Sequence, residues 1–371
     1  MRDLFVSSHT PTLGSGRAVR TYSLIRALGM GGGVDVLYTV FGSDDPAPEL
    51  VGADGVSLFP VHSSRGLGRA LAYGTAVLRG VPRDFARSIS PELKREARRL
   101  APAHRRVIAD GPDVAAALLP LTRSREVIYN AHNVESSLRA LIPGEVGALG
   151  GERRLERFER HLFESVSESW LVSDADVQEA SRLAPKGMFR YVPNAVDVAS
   201  IQPAARTGSN RLVFSGNFAY TPNRIALAYL VEEVMPRVWA HAPEAVLAVT
   251  GRGAPADASR DPRIELLGFV DDLADVYGRS DCAVVPLVQS GGSPLKFVEA
   301  LAYGVPVVAS STAARGLAVQ AGVHYVQADT PEDFATAVVQ VLDDGAPEIA
   351  EAGRQLAERE YSIERLSVLV A

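Results

Sequence analysis

Residues 283–310 read AVVPLVQSGGSPLKFVEALAYGVPVVAS, and this stretch indicates the fold class most directly. It predicts a strand over Ala283 to Pro286, a glycine-rich loop, a helix, and a second strand over Val305 to Ala309. Serine followed by proline is typical of a helix start, so we expect Ser293 as the N-cap and Pro294 at the first helical position. A strand, a helix and a strand in this order form a βαβ unit, which predicts a parallel sheet.

The glycine-rich loop and the helix start also predict an anion site. A helix N-terminus offers unpaired N–H groups and a partial positive charge, which suit a phosphate. Lys296 lies in the first turn, where its charge opposes the helix dipole, so a bound anion explains it better than helix stability does. Glu299 follows three residues later on the same face and is placed to accept hydrogen bonds from ribose hydroxyls. An ordinary βα turn with a solvated Lys/Glu pair explains these two residues equally well at this point.

The same succession of elements opens each half of the chain. A strand over Asp3 to Ser7 precedes a turn at Gly14 to Gly16 and a helix, and a strand over Arg211 to Phe214 precedes Gly216 and a helical apolar stripe. At ~150 residues per domain, 371 residues predict two domains. We therefore expect an α/β protein with Rossmann-like domains over 1–195 and 196–355. A C-terminal helix within 356–371 is expected to pack back on the first domain.

Composition excludes several classes of protein. The chain is 47% hydrophobic and 22% charged with mean hydropathy +0.05, which excludes a disordered, collagenous or coiled-coil protein. Its net charge of -6 argues against a nucleic-acid partner. No leader-like or membrane-spanning run is apparent, and the single Cys282 reads as a buried small hydrophobe, so the expected location is the cytoplasm.

Three motifs together resemble the donor-binding half of the retaining GT-B glycosyltransferases of family 4, the group 1 class. Residues 290–310 resemble its donor-binding signature, 193–197 (PNAVD) its hinge motif, and 268–272 (GFVDD) its base-contacting loop. Asn133-Val134-Glu135 and Pro222-Asn223 are similar to a bacterial polysaccharide-associated branch. The resemblance is strong from Pro193 to Gly316 and weak in the first half.

The resemblance implies a fold, a reaction and a set of site residues. It implies two Rossmann-like domains facing across a cleft, and transfer of a sugar from a nucleotide-diphosphate donor to an acceptor hydroxyl with retention of anomeric configuration. The acceptor would be a small molecule, a glycan or a lipid-linked molecule, and no metal or other cofactor is expected. The implied catalytic residues are Lys296 and His132. The implied donor-binding residues are Gly16, Arg17, Asn217, Phe269, Val270, Gly291, Gly292, Ser293, Leu295, Lys296 and Glu299.

The sequence departs from the family pattern at the expected phosphate and sugar contacts. Gly291 stands where the family has a second glutamate, which predicts a donor whose sugar lacks or modifies a hydroxyl, as in a deoxy- or amino-sugar. Asn217 and Pro222 occupy the region where an arginine and a lysine often occur. The diphosphate charge would then depend on Lys296, the helix N-terminus and a first-domain residue such as Arg17 or Arg20. A nucleotide-sugar epimerase and a catalytically silent GT-B partner subunit remain as alternatives.

Two further motifs have competing explanations. His132 follows the strand predicted over 127–131, where the resemblance implies a donor-sugar contact and where a histidine bonded to backbone near a helix N-cap is the alternative. Asp174-Ala175-Asp176 imitates a metal-binding Asp-x-Asp, but the end of a strand and the start of a helix at this point favour capping. The first glycine turn has Val19 where a dinucleotide fingerprint has its third glycine, which disfavours a dehydrogenase.

Positive charge is concentrated between Val61 and Val107. This stretch contains eleven Arg and Lys residues and three acidic residues, so its net charge is +8. Leucines alternate with the arginines, as in a helix that lies on an anionic surface, and this predicts peripheral contact with the inner face of a membrane. The alternative is that these helices cover the first sheet with their arginines in water.

Overall fold

The computed structural model describes residues 1–40, 45–63, 67–140, 151–289 and 292–371, and it divides into two compact domains. Met1–Pro193 and Ile363–Ala371 together form the first domain, and Asn194–Ser362 form the second. The sequence analysis predicted the two domain boundaries after residues 195 and 355, whereas the structure has them after Pro193 and Ser362.

In its described residues the first domain is a seven-stranded parallel sheet with flanking helices. The strands are β1 (Asp3–Ser7), β2 (Val34–Val40), β3 (Val56–His62), β4 (Val107–Asp110), β5 (Val127–Asn130), β6 (Glu168–Leu171) and β7 (Phe189–Tyr191). The helices are α1 (Gly16–Met30), α2 (Leu67–Leu78), α3 (Arg83–Ser88), α4 (Pro91–Leu100), α5 (Pro112–Leu118), α6 (Glu135–Ala140), α7 (Gly151–Ser165) and α8 (Asp174–Leu183).

The order of strands in this sheet is β3-β2-β1-β4-β5-β6-β7. Strands β1, β4 and β5 are buried along their whole length, because helices cover both faces of a parallel sheet and the central strands are therefore apolar on both sides. The strand order changes direction between β1 and β4. In open α/β sheets such a switch point leaves a crevice at the carboxyl ends of the strands, where ligands bind.

The second domain repeats this architecture with six parallel strands in its described residues. The strands are β8 (Arg211–Ser215), β9 (Val246–Thr250), β10 (Ile264–Gly268), β11 (Cys282–Val285), β12 (Val307–Ala309) and β13 (Val326–Gln327). The helices are α9 (Thr221–Tyr229), α10 (Met235–His241), α11 (Leu273–Gly278), α12 (Leu295–Ala302), α13 (Ser311–Ala314), α14 (Pro331–Asp344) and α15 (Pro347–Glu360). A π-helical turn over Leu230–Val234 joins α9 to α10.

The strand order of the second sheet is β10-β9-β8-β11-β12-β13, so its switch point lies between β8 and β11. Strand β11 is fully buried, and Cys282 within it is a packed core residue. Burial raises the pKa of the Cys282 thiol to about 12, so the thiol stays protonated at neutral pH.

The last helix, α16 (Ile363–Leu369), belongs to the first domain and packs against α1. Ile363 and Leu366 are buried there, and the backbone carbonyl of Val370 accepts a hydrogen bond from the Arg106 guanidinium. Helix α15, which includes the first residues of the predicted returning segment, stays with the second domain and packs on α12. Among the described residues, no helix combines the length and the apolar character needed to span a bilayer.

Candidate functional site

The second-domain switch point brings together the loop after β8 and the helix after β11. Strand β8 ends at Ser215 and leads into Gly216 and Asn217, while β11 leads through the glycine-rich loop into α12. Because β8 and β11 are neighbouring parallel strands, both connections leave the same edge of the sheet. The sequence-predicted Lys296 and Asn217 therefore belong to one cluster, which also contains Asn223.

Two glycines allow the backbones of this cluster to approach closely. Gly251 has φ +126°, and a Cβ there would lie 1.8 Å from the carbonyl oxygen of Gly216. A Cβ on Gly216 would lie 3.1 Å from Lys296 Nζ and 3.0 Å from Asn223 Nδ2. A side chain at either position would displace a neighbour, so the close approach requires glycine.

The ammonium group of Lys296 is held in place by neutral groups. Its Nζ donates a 2.7 Å hydrogen bond to Asn223 Oδ1 and lies 4.4 Å from the centre of the Phe214 ring. Asn223 in turn donates from Nδ2 to the carbonyl oxygen of Asn217 at 2.8 Å. Burial lowers the pKa of Lys296 to about 7, against the attraction of Glu299. Because burial makes the charged form of Lys296 costly, an anion that binds beside it would stabilise that charged form.

Glu299 lies one helical turn beyond Lys296. Burial raises the pKa of its carboxyl to about 7, and the nearby lysine opposes that shift. Tyr277 and Tyr303 stack with ring centres 4.7 Å apart, and the Tyr277 hydroxyl donates to the Lys296 carbonyl at 3.4 Å. The first turn of α12 is thus backed by an aromatic pair, which fixes the face that carries Lys296 and Glu299.

The start of α12 differs from the sequence prediction. The helix begins at Leu295 with Pro294 as its N-cap, so the prediction of Ser293 as N-cap and Pro294 at the first position was wrong by one residue. Pro294 has ψ 107°, an extended conformation, and no side-chain cap satisfies the first N–H groups of the helix. Ser293 is instead held through its carbonyl oxygen, which accepts from Asn194 Nδ2 at 2.9 Å.

The loop leaves polar groups available at this helix start. Within the described residues the buried Ser293 hydroxyl oxygen has no hydrogen-bond partner. Gly292 has φ +68°, a left-handed conformation that glycine adopts without strain. Leu295 is buried, so any ligand contact from it would come from its backbone N–H. Ser290 and Gly291, and with them the predicted donor contact at Gly291, lie outside the described residues.

The predicted base-contacting loop follows β10. Phe269 is 43% exposed, and the Arg252 guanidinium lies 4.3 Å from the centre of its ring. The carbonyl oxygen of Gly268 accepts from the Gly251 N–H at 2.7 Å, which ties this loop to the close approach of Gly251 and Gly216. Phe269 and the half-buried Val270 therefore form an apolar surface on the same domain as Lys296, with the Arg252 guanidinium against the Phe269 ring.

At the first-domain switch point, a buried carboxylate organises the polar residues. Asp110 ends β4 and accepts hydrogen bonds from Ser7, Thr21, Asn130 and His132 at 2.8 to 3.0 Å. Its pKa is held well below the usual range, because attraction to His132 and these hydrogen bonds outweigh the burial of its charge. Asp110 is therefore an anion in a cluster of donors.

His132 is oriented by that carboxylate rather than by backbone. Its Nε2 lies 2.9 Å from Asp110 Oδ1, and burial lowers its pKa although Asp110 attracts the proton. Bonding to a carboxylate places the hydrogen on Nε2 and leaves a lone pair on Nδ1. Nδ1 is buried and has no hydrogen-bond partner among the described residues, so it can accept a hydrogen bond from a hydroxyl or an N–H group.

The remaining first-domain candidates lie at the start of α1. Gly16 is the first helical residue, after the Ser15 N-cap, and no atom lies within 4 Å of a Cβ built on it. Arg17 is partly exposed, with one guanidinium nitrogen 3.5 Å from the Asp110 carbonyl and 3.8 Å from Asp113. Arg20 is buried and donates to Asn130 Oδ1 and to the Val192 and Pro193 carbonyls, so it is a structural residue and not a phosphate ligand.

Capping at Asp174 to Asp176 is confirmed. Ser173 is the N-cap of α8, and its hydroxyl accepts from the Asp176 N–H at 3.0 Å. Within the ranges that the structure describes, no group of three or more His, Cys, Asp or Glu residues has a metal-binding arrangement.

Sequence reasoning missed Asp110 and Arg252. Asp110 closes an apolar strand immediately before a glycine, which is the position that places a side chain at the ligand edge of a sheet. That signal was available for Asp110, as it was for His132 after β5. Arg252 carried no comparable signal, because only the folded chain shows that its guanidinium covers Phe269.

Comparison with protein families matches residues 209–344 to the model described as "Glycosyl transferases group 1". None of the curated proteins matches this sequence. Among solved structures, the chain is similar to sucrose-phosphate synthase of Thermosynechococcus elongatus, at 15% identity and TM-score 0.76, with 100% of this chain and 97% of that chain covered.

Two other similar structures contain ligands. HepE of Anabaena, in complex with UDP and glucose, is 12% identical with TM-score 0.73, over 100% of this chain and 98% of that chain. A variant of S. aureus TarM, in complex with fondaparinux, α-GlcNAc-glycerol and UDP, is 11% identical with TM-score 0.72, over 99% of this chain and 98% of that chain. These likenesses establish the fold: two Rossmann-like domains with parallel sheets, the architecture of the GT-B glycosyltransferases.

Proposed function

We propose that this protein is a glycosyltransferase that moves a sugar from a nucleotide-diphosphate donor to an acceptor hydroxyl with retention of anomeric configuration. The observation that carries the proposal is the position of Lys296. Its ammonium group lies at the ligand edge of the second sheet, beside Gly216, within the segment that matches the group 1 glycosyltransferase model.

In this proposal the second domain binds the nucleotide. The diphosphate contacts the Lys296 ammonium group, the first N–H groups of α12, which no side chain caps, and the Ser293 hydroxyl, which has no hydrogen-bond partner among the described residues. The Glu299 carboxylate accepts hydrogen bonds from the ribose hydroxyls, and the base lies against Phe269 and Val270. Because HepE and TarM are each found with UDP, a uridine nucleotide is the first donor to test.

The transfer step follows from the charge that develops in it. As the bond between the anomeric carbon and the phosphate oxygen breaks, the sugar becomes oxocarbenium-like and the leaving diphosphate gains negative charge. A preorganised positive group at that oxygen is worth ~3–4 kcal/mol of barrier lowering, and Lys296 is the candidate for it. The acceptor hydroxyl attacks the same face and its proton passes to the leaving phosphate, which gives retention without a protein nucleophile.

His132 has a separate role in the proposal. Asp110 holds the ring so that Nδ1 offers a lone pair, and this lone pair would accept a hydrogen bond from a hydroxyl of the transferred sugar. A contact of this kind orients the sugar without touching the nucleotide. Variants at His132 and at Lys296 should therefore affect different kinetic parameters.

Donor screening tests the proposal directly. Thermal unfolding is followed with UDP-, GDP- and dTDP-sugars, because a ligand at 100 times its Kd stabilises the folded state by ~2.7 kcal/mol. The donors that stabilise are then incubated with and without candidate acceptors, and the products are analysed for sugar transfer and anomeric configuration. Donor-only isomerisation would identify an epimerase, and binding without turnover a silent subunit. Stabilisation by none of the donors would contradict the proposal.

Chelation tests the expected independence from metal. The proposal assigns the leaving-group charge to Lys296 and the helix N–H groups, so transfer should persist in excess EDTA. Loss of transfer that added Mg²⁺ or Mn²⁺ restores would assign that charge to a metal ion.

A further inference from the structure

The first domain contains a cavity that the proposed reaction does not use. Its volume is about 720 Å³, which is within the usual range of small-molecule sites, and it lies among α2, α4, α5 and α7. Much of its lining is apolar and includes Ala76, Val81, Ile89, Leu119 and Phe158. A cavity with such walls favours a hydrocarbon over a polar ligand.

Four cations also line this cavity: Arg79, Lys94, Arg95 and Arg98. In the described ranges of the chain, Arg95 lies 3.8 Å from Glu96, and the other three have no acidic partner. Burial and the nearby charges of Arg98 and Arg79 lower the pKa of Lys94. Like charges held together repel, so this group is stabilised by an anion.

Helix α2 adds an exposed apolar face beside the cavity. Leu67, Leu71 and Leu78 are 84%, 70% and 90% exposed. At 100° per residue they lie within ~40° of one another, so they form one stripe along the helix. Ala72 and Ala76 of the same helix line the cavity. A row of exposed leucines next to clustered arginines is typical of a helix at a membrane interface.

We propose that the first domain binds a membrane lipid with an anionic phosphate head. The acyl chain occupies the cavity, the four cations hold the phosphate, and the leucine stripe of α2 lies in the bilayer interface. A single occupant of this kind accounts for an apolar space, a cationic edge in which three of four members have no acidic partner among the described residues, and an exposed apolar face within one domain. The inference goes beyond the proposed function, and its test requires no turnover.

Sedimentation with vesicles tests the membrane contact. The full chain is pelleted with phosphatidylglycerol vesicles and with phosphatidylcholine vesicles, at low salt and near 1 M salt, where the Debye length is ~3 Å. We expect strong binding to phosphatidylglycerol at low salt, weak binding at high salt and little binding to phosphatidylcholine. Equal pelleting with both lipids, or no pelleting with phosphatidylglycerol at low salt, would overturn the proposal.

Charge variants locate the contact. The double variant Arg95→Gln/Arg98→Gln should bind these vesicles about 25-fold more weakly, at about fivefold for each cation near an anionic surface. The control Arg260→Gln/Arg279→Gln removes the same charge from exposed positions of the second domain and should bind like the wild type. Equal losses in both double variants would mean general electrostatic attraction and would overturn the assigned site.

Soluble probes separate the lipid from a simple anion. Dodecyl phosphate should bind at least tenfold more tightly than inorganic phosphate, and Ala72→Trp, which fills the cavity, should abolish that difference. Ala116→Trp, on α5, is the second cavity variant, and circular dichroism establishes that each variant is folded. Equal affinity for both probes in the wild type would indicate a small-anion site. An undiminished preference for dodecyl phosphate in both folded variants would exclude the cavity.

Discussion

Lys296 and Glu299 share one face of α12 but should control different properties. Lys296→Ala removes the positive group at the leaving phosphate, so we expect kcat to fall by ~10²–10³-fold with a smaller change in nucleotide affinity. Glu299→Ala leaves ribose hydroxyls without an acceptor and should weaken binding of free UDP by ~1–3 kcal/mol. Steady-state kinetics and calorimetry measure the two effects.

Matched controls exist for both residues. Lys186→Ala and Glu232→Ala remove the same side chains at exposed positions and should leave kinetics and affinity unchanged. Wild-type behaviour of both Lys296→Ala and Glu299→Ala would mean that the nucleotide binds elsewhere.

The lowered pKa of Lys296 predicts a pH dependence of nucleotide binding. The free protein loses this charge as the pH rises through about 7, and a bound diphosphate favours the ammonium and raises its pKa. At Lys296 binding should therefore take up a proton, whereas Glu299, whose pKa is also about 7, should release one because the ribose hydroxyls favour its carboxylate. In Glu299→Gln only the lysine effect remains, and UDP affinity should fall between about pH 7 and 9, where the phosphates stay ionised. Calorimetry in buffers of different ionisation enthalpy measures the uptake. The dependence should be flatter in Lys296→Gln, and an equally steep decline there would assign it to another group.

His132 should act on the sugar and not on the nucleotide. His132→Ala removes the acceptor at Nδ1, so we expect kcat/KM for the donor sugar to fall ~10–100-fold, the effect of one or two lost hydrogen bonds to a reacting ligand. Affinity for free UDP should stay constant. A parallel loss of UDP affinity would contradict a sugar contact.

Lys296 and Glu299 could be proposed as site residues from sequence because their signal is local, a loop and one helix turn. The cluster around Asp110 was not found, because the groups that bond this carboxylate lie on three other segments of the chain, at Ser7, at Thr21 and at Asn130 with His132. Only the pairing of β4 with β1 and β5 places them together. Spacing along the chain carries no information about such contacts.

At the level of secondary structure, the strands were predicted well and the helix start was not. Asp3–Ser7 has the predicted bounds, because a buried apolar run before a turn is a strong signal. The start of α12 was wrong by one residue, since the Asn194 amide holds the Ser293 carbonyl and Pro294 stays extended. A contact 99 residues distant in sequence thus overrides a local capping preference.

The turn formed by Gly216 and Gly251 gives a prediction at the same scale. Gly251→Ala would place a Cβ 1.8 Å from the Gly216 carbonyl at φ +126°, so we expect a loss of ~1–3 kcal/mol of stability and of UDP binding. Gly278→Ala is the control, because nothing lies within 4 Å of its Cβ and α11 accommodates alanine. Urea unfolding and calorimetry measure the effects. Wild-type UDP affinity in Gly251→Ala would show that this turn does not shape the site.

For the whole molecule, we expect the final helix to contribute to the stability of the first domain. Leu366 is buried where α16 packs on α1, so Leu366→Ala should destabilise the protein by ~2–5 kcal/mol. Val368 is 67% exposed on the same helix, and Val368→Ala should cost less than ~0.5 kcal/mol. Urea unfolding, with Trp170 of the first domain and Trp239 of the second as separate probes, measures the difference. Equal effects of the two variants would mean that α16 does not contribute to the core.

The return of α16 to the first domain also sets an order of assembly on the ribosome. Domains usually fold as they emerge, beginning with the one nearest the N-terminus. Here residues 1–193 leave the ribosomal exit tunnel before Ile363–Ala371 are synthesised. The face of α1 that binds α16 therefore stays exposed while Asn194–Ser362 are synthesised. The domain whose synthesis begins second can complete its core first. A stall or truncation late in translation would therefore leave a finished second domain attached to an unfinished first one, exposing the surface that chaperones recognise.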